Sequence, residues 1–194
     1  MFSNYKADID RYVCTSGGSR FYQVMMEQGL WALAVYRYSR WVRAKVHING
    51  IRALLIWTGI FMRKIMQILT GIDLPETADI GRGLYIGHFG GIFVAHGAVI
   101  GENCNLSQGV TIGYAGRGDQ WGCPNIGNRV YIAAGAKVIG RISIGDDAVI
   151  GANAVVTKDI PNKAVAVGVP AKVISYGGST DFVFYKGESN EVDS

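Results

Sequence analysis

The sequence predicts a mainly β chain: a triangular coil of short parallel strands, a β-helix, preceded by a short α-helical N-terminal segment. From Ile126 a β-branched aliphatic returns at every sixth residue, through Ile132, Val138, Ile144, Ile150 and Val156. Six matches neither the 3.6 period of a helix nor, taken alone, the 2.0 period of a strand. Glycine supplies 27 of the 194 residues, about twice its ordinary ~7%, so many tight corners are expected. A flat strand of about five residues ending in a corner, repeated three times, closes a triangle of about 18 residues. One side chain per side then points into the prism, and coils stack at the ~4.8 Å strand spacing.

Residues 1–70 form the helical segment. The opening MFSNYKADIDRYV carries acids and no continuous apolar core, so no secretory signal is expected. Two helices are expected over 20–69. The first carries Arg37, Arg40 and Arg43 in a basic row, HING reads as a turn, and IRALLIWTGIFMRKIMQIL follows. The longest uncharged run, Ala53 to Met62, is ten residues, half of the about twenty that a membrane span needs. Packing on a partner helix is the expected role. The alternative is a membrane interface with Arg52, Arg63 and Lys64 at the headgroups. The net charge of +4 is uneven: up to Thr70, ten Lys/Arg face three acids, Asp8, Asp10 and Glu27.

The repeat region covers 71–175. Upstream of Ile126 the hexads run Ile80, Ile86, Ile92, slip by two residues, and continue Val94, Ile100, Leu106, Ile112. Ile112 and Ile126 are fourteen residues apart, two hexads plus two, and GYAGRGDQWGCPN between them is polar and Gly-rich, so a loop is expected at 114–124. A second, smaller inward line holds Val130, Ala136, Ile142, Ala148, Ala154 and Ile160. An ordinary sandwich would show period two with turns of varied length. The tail, 176–194, is polar and acidic at its end, and is expected to be mobile apart from a docked DFVFY. Cys14, Cys104 and Cys123 include no CxxC pair and fit free thiols in a reducing cytoplasm.

His88 and His96 each follow an inward aliphatic by two positions and so point outward. His88 lies in IGHFGGIF, where glycines open the backbone to close approach. Register places Gln108 in the coil above His88, and Asp73, fifteen residues earlier, nearly one coil below. A carboxylate in reach holds an imidazole in one tautomer and stabilises its protonated form, as a general base requires. Ala134 and Ala152, eighteen residues apart, are expected to stack with Gly113 beneath them, a smooth column for a thin ligand. Lys158 and Lys172 are placed to meet phosphates.

The stretches GIDLPETADIGRGLYIGHFGGIFV, LSQGVTIG, CPNIGNRVYIAAGAKVIG, IGANAVVTKDIP and GVPAKVI resemble the hexapeptide-repeat acyltransferases. The likeness is to the serine acetyltransferase-like branch, which includes polysaccharide and colanic acid O-acetyltransferases, over roughly 71–175. It implies a left-handed coil, an exception to the right-handed crossover rule, and a homotrimer with acetyl-CoA as co-substrate between adjacent β-helices, with no metal. It implies His88 as base, Asp73 as its partner, and Gly113, Ala134, Ala152, Thr157, Lys158 and Lys172 along the CoA cleft. Gln108, with Asp119 and Trp121 of the loop, falls on the acceptor side. Three departures count against a serine acceptor. Gly87 stands where serine acetyltransferases carry an acid, Gly122-Cys123-Pro124 where they carry Arg-His-Pro, and their helical domain is about twice as long. The expected acceptor is therefore a sugar hydroxyl in exopolysaccharide or capsule assembly, free or lipid-linked, with L-serine as the alternative. Such an enzyme is expected to be cytoplasmic, with peripheral contact at the inner membrane face through its helices, and to bind no nucleic acid. A zinc-dependent, carbonic anhydrase-like β-helix needs three histidines per site and the coils carry two. A non-catalytic scaffold would fail to bind CoA.

Overall fold

The computed structural model describes residues 2–185. Four helices come first: α1 (Phe2–Ser16), α2 (Arg20–Met26), α3 (Gln28–Lys45) and α4 (Asn49–Thr70). The sequence led us to expect two helices over 20–69. Helix α1, not singled out in the sequence, buries Asp8, Arg11 and Tyr12. Tyr5 and Ile9 pack beside them on the core, so its inward face mixes an apolar row at helical spacing with two buried charges. The expected first helix divides into α2 and α3 at Glu27, which is extended (φ −95°, ψ 108°). The Ser19 hydroxyl accepts the Tyr22 N–H at the start of α2, a common N-cap. Helix α4 ends on Gly71 at φ 65°, the left-handed cap glycine adopts freely.

Fifteen short strands follow: β1 (Ile72–Asp73), β2 (Asp79–Ile80), β3 (Tyr85–Ile86), β4 (Ile92–Val94), β5 (Val99–Ile100), β6 (Asn105–Leu106), β7 (Thr111–Gly113), β8 (Asn125–Ile126), β9 (Tyr131–Ile132), β10 (Lys137–Ile139), β11 (Ser143–Ile144), β12 (Val149–Ile150), β13 (Val155–Val156), β14 (Val165–Val167) and β15 (Lys172–Ser175). They form the three walls of a left-handed parallel β-helix. The first wall is β1-β4-β7-β10-β13, the second β2-β5-β8-β11, and the third β3-β6-β9-β12-β14-β15, where β15 alone is antiparallel. Every hexad aliphatic from Ile80 to Val156, and all six residues of the second inward line, are buried.

Coil length varies, and the variation locates the irregularities. Ile126 pairs with Ile144, and Ile132 with Ile150, at eighteen residues. Ile86 pairs with Leu106 at twenty, and Ile100 with Ile126 at twenty-six. The first excess is the two-residue slip between β3 and β4, and the second is the loop after β7. Gly83, Asn103, Arg129, Asp147 and Lys163 all have φ between 55° and 73°. They recur at the corner before the third wall, where the turn requires the left-handed region that non-glycine residues seldom adopt.

The lower edge of the first coil has no coil beneath it, and the helices close it. The Tyr36 hydroxyl donates to Ala78 O and accepts from the Ile80 N–H (2.9 and 3.0 Å). The Tyr12 hydroxyl serves Ile86 O and N–H in the same way (3.1 and 3.0 Å). Arg37 donates to Ile80 O and Gly81 O, and it ion-pairs with Asp8 at 2.9 Å. Asp8 accepts the N–H groups of Gly83 and Leu84. Burial pushes the Asp8 carboxyl above its ordinary range, against the pull of Arg37 and those two amides. Arg40 and Arg43 pair with Asp79 and Glu76, so the basic row of α3 docks the helix on the coil. Helix α3 starts so close to β3 that a Cβ on Gly29 would overlap the Tyr12 hydroxyl and lie 2.9 Å from Ile86 Cβ. Arg37→Ala leaves the Asp8 carboxylate buried and unpaired, so a loss of about 3–5 kcal/mol is expected, measured as the shift in urea unfolding.

Candidate active site

His88 stands on the two-residue excess between β3 and β4. The extra length pushes 87–91 out of the corner between the third and first walls. The bulge turns on Gly90 and Gly91 (φ 105° and 66°) and is tied down by the Gly109 N–H on Gly90 O at 2.9 Å. His88 and Phe89 are exposed at its crest. Two hollows of about 310 Å³ each flank the imidazole. One is lined by Tyr85, Asn105, Ser107 and Tyr131 of the third wall and by Phe182 and Phe184 of the C-terminal segment. The other is lined by Ser16, Glu27, Gln28, Tyr85 and Phe89. Neither is lined by a lysine or an arginine.

Sequence reasoning missed the third-wall residues, although the signal was present. Tyr85, Asn105 and Tyr131 each precede an inward aliphatic and pair in register, which makes them one outward column. Asn105 is its buried centre: Oδ1 accepts from Arg11 Nη2 at 2.6 Å, and Nδ2 donates to Phe182 O at 2.9 Å. Burial lowers Arg11 to about 10, which leaves it a cation at neutral pH. Phe182 stacks on Tyr131 at 5.0 Å between ring centres, so the DFVF part of the tail is docked. The acidic end expected to be mobile, 186–194, lies outside the described residues.

The expected site residues fall into two columns. Because Ile86 pairs with Leu106, Gln108 follows at the same corner as His88. The Gly135 N–H bonds Gln108 O and the Asn153 N–H bonds Ala134 O, so Gln108, Ala134 and Ala152 stack in order above His88. Gly113 does not lie beneath Ala134. It pairs with Ile139, at the far edge of the first wall, because the long loop is inserted after Gly113 and shifts the coil count by eight. Thr157, which follows Val156 as Ile139 follows Val138, continues that second column, with exposed Lys158 beside it. Lys172 is exposed on β15, opposite Val167.

Asp73 is not bonded to His88. Arg63 of α4 holds its Oδ1 through both Nε (2.8 Å) and Nη2 (2.7 Å), and Arg63 also reaches Glu76. Among the described residues no hydrogen bond reaches the His88 ring. The other outward histidine, His96, is taken by Thr77, whose Oγ1 lies 2.6 Å from Nδ1. The loop folds back on the second column: Ala115 bridges Gly122, Trp121 stacks on Tyr114 at 5.6 Å, and Arg141 donates to Asp119 O. Asp119 and Trp121 line neither hollow beside His88 within one chain. No group of three metal-ligating side chains occurs among the described residues.

Cys104 is fully buried, and burial pushes its thiol up to about 12, so it is no nucleophile. Cys14 is exposed. Under native conditions a thiol reagent should modify Cys14 quickly and Cys104 only upon unfolding, as peptide mass mapping would show.

The family model "Bacterial transferase hexapeptide (six repeats)" matches residues 124–158. A serine acetyltransferase of Helicobacter pylori is 38% identical over 152 residues, 78% of this chain and 84% of that protein. One from Mycobacterium tuberculosis is 45% identical over 121 residues, and the match covers 60% of this chain and 53% of that longer protein. Among solved structures, the Brucella abortus serine acetyltransferase superimposes with a TM-score of 0.79 at 26% identity, covering 92% of this chain and 70% of that one. The soybean enzyme complexed with serine gives 0.76 at 28% identity, covering 89% and 68%.

Proposed function

The chain belongs to the serine acetyltransferase family, acyltransferases that use acetyl-CoA, and from that premise we propose that it acetylates the hydroxyl of L-serine with His88 as general base. The observation that carries this reading is the 38% identity to a serine acetyltransferase along 84% of that protein's length. In the proposed reaction the acceptor hydroxyl gives its proton to the His88 imidazole as its oxygen bonds to the acetyl carbon. The tetrahedral adduct then collapses, the carbon–sulfur bond breaks, and the imidazolium returns the proton to the departing thiolate. Amide donors at the bulge would stabilise the oxyanion, each worth about 3 kcal/mol.

The two columns explain why a single chain falls short. His88, Gln108, Ala134 and Ala152 edge one side of the first wall, and Gly113, Thr157 and Lys158 the other. In a homotrimer, one chain's first edge would face its neighbour's second edge. The small side chains of one column would then admit the thin pantetheine arm, and Lys158, with Lys172 above, would meet its phosphates. Asp73 would support His88 through Oδ2, which accepts no hydrogen bond among the described residues.

A second reading keeps a sugar hydroxyl as acceptor. It is favoured by the hollows beside His88, which are aromatic and hold no cation for an amino acid's carboxylate. CoA release measured across L-serine and nucleotide- or lipid-linked sugars separates the two, and turnover with L-serine alone is expected. His88→Ala should lower turnover by roughly 10²–10⁴ while the chain still binds CoA. Unchanged turnover would remove His88 from the mechanism.

A further inference from the structure

Helix α4 carries an apolar surface that nothing among the described residues covers. Leu54, Trp57, Phe61 and Ile68 are 66%, 70%, 67% and 75% exposed. With Ile60 and Met62 at its borders, this surface spans roughly 200° of the helix at ~100° per residue. The opposite side is fixed to the protein. Tyr38 bonds Leu55 O, Gly59 lies against Ser39, and Arg63 ion-pairs with Asp73 and Glu76, while within the apolar arc Thr58 alone is tied back, to Tyr38. Arg63 is therefore not the headgroup ligand the sequence suggested. Length and apolarity alone would let α4 span a bilayer, but these bonds hold it along the coil.

Charge narrows the occupant. Residues 28–72 contain seven Lys/Arg and no Asp or Glu. Arg37, Arg40, Arg43 and Arg63 are spent on carboxylates of α1 and the first coil. Among the described residues, Lys45 at the α3–α4 turn and Lys64 within the apolar face are exposed and make no ion pair, Lys64 donating only to the neutral Gln67 side chain. Arg52, the seventh cation, is half-buried. We propose that this face docks on an anionic lipid surface. Helix α4 lies in the interfacial plane, its aromatics enter the acyl boundary, and Lys45 and Lys64 reach the headgroup phosphates. A second copy of the helix fits less well: the seam of a helix pair is narrower than a ~100° stripe, under half of this arc, and a copy would add cations with no carboxylate to meet them.

The test floats the purified full chain with phosphatidylcholine vesicles, with and without phosphatidylglycerol. Flotation is expected only with the anionic vesicles, and salt should reverse it. Lys64→Gln should weaken it about fivefold. Trp57→Glu with Phe61→Glu should abolish it without changing the mass seen by light scattering or acetyl transfer to a soluble acceptor. The proposal is overturned if the chain ignores anionic vesicles, or if the double variant still floats. It also fails if that variant lowers the particle mass, which would make the face a contact between copies.

Discussion

A β-helix ends in a ring of unpaired backbone groups, and closing that ring is the constraint on which this chain depends. A buried N–H or C=O without a partner is costly. Here the Asp8–Arg37 pair and two tyrosine hydroxyls supply partners for residues 78–86 along the lower edge of the second and third walls. The cost appears in Asp8, whose carboxyl is pushed up by burial despite a bidentate guanidinium. A buried ion pair adds little net stability by itself. Its worth here lies in the backbone groups it satisfies and in fixing two helices against the first coil. At the other end β15 turns back antiparallel on β14, which covers the edge of the third wall.

Once the first coil is seated, register does the remaining placement. Strands stack regardless of what happens at a corner, so extra residues accumulate there at little cost to the walls. Two extra residues raise His88 above the surface, and eight extra residues make the loop that carries Trp121. Both irregularities border the first wall, one at each edge. The residues singled out for chemistry thus lie on opposite sides of one flat sheet, a geometry that suits a site shared between neighbouring chains.

The prism was legible because each inward aliphatic reports its own burial, and the six-residue spacing survives any change in the outward residues. Helix α1 was not singled out although Tyr5, Ile9 and Tyr12 recur at helical spacing and face the core, because the other two of its fully buried anchors, Asp8 and Arg11, are charged and read as solvent-facing. Gly113 was misplaced because a hexad count measures how long an insertion is and says nothing of the corner it occupies. The partner of Asp73 could not be read either, since Arg63 belongs to a helix whose position against the coil leaves no trace in the repeat. Tyr85, Asn105 and Tyr131 were readable and overlooked, since attention to histidines passes over a column that differs from its neighbours only in size and polarity.

The acceptor question turns on charge, and a single chain gives only half of the balance. Serine presents an ammonium and a carboxylate. Glu27 and Asp181 line the hollows at His88 and could meet the ammonium, but no cation is there for the carboxylate. The exposed arginines of the coil's far edge are Arg117 in the loop and Arg141 just after β10. Arg141 already leans on the loop through Asp119 O. In the trimer proposed above, that edge is the one that would face a neighbour's His88. The loss of an arginine at Gly122 would then be offset from positions five residues earlier and nineteen later, and a carboxylate would find its counter-charge across the seam. A sugar hydroxyl asks for no such charge, so the position of these two guanidinium groups relative to the neighbouring imidazole separates an amino acid acceptor from a neutral one.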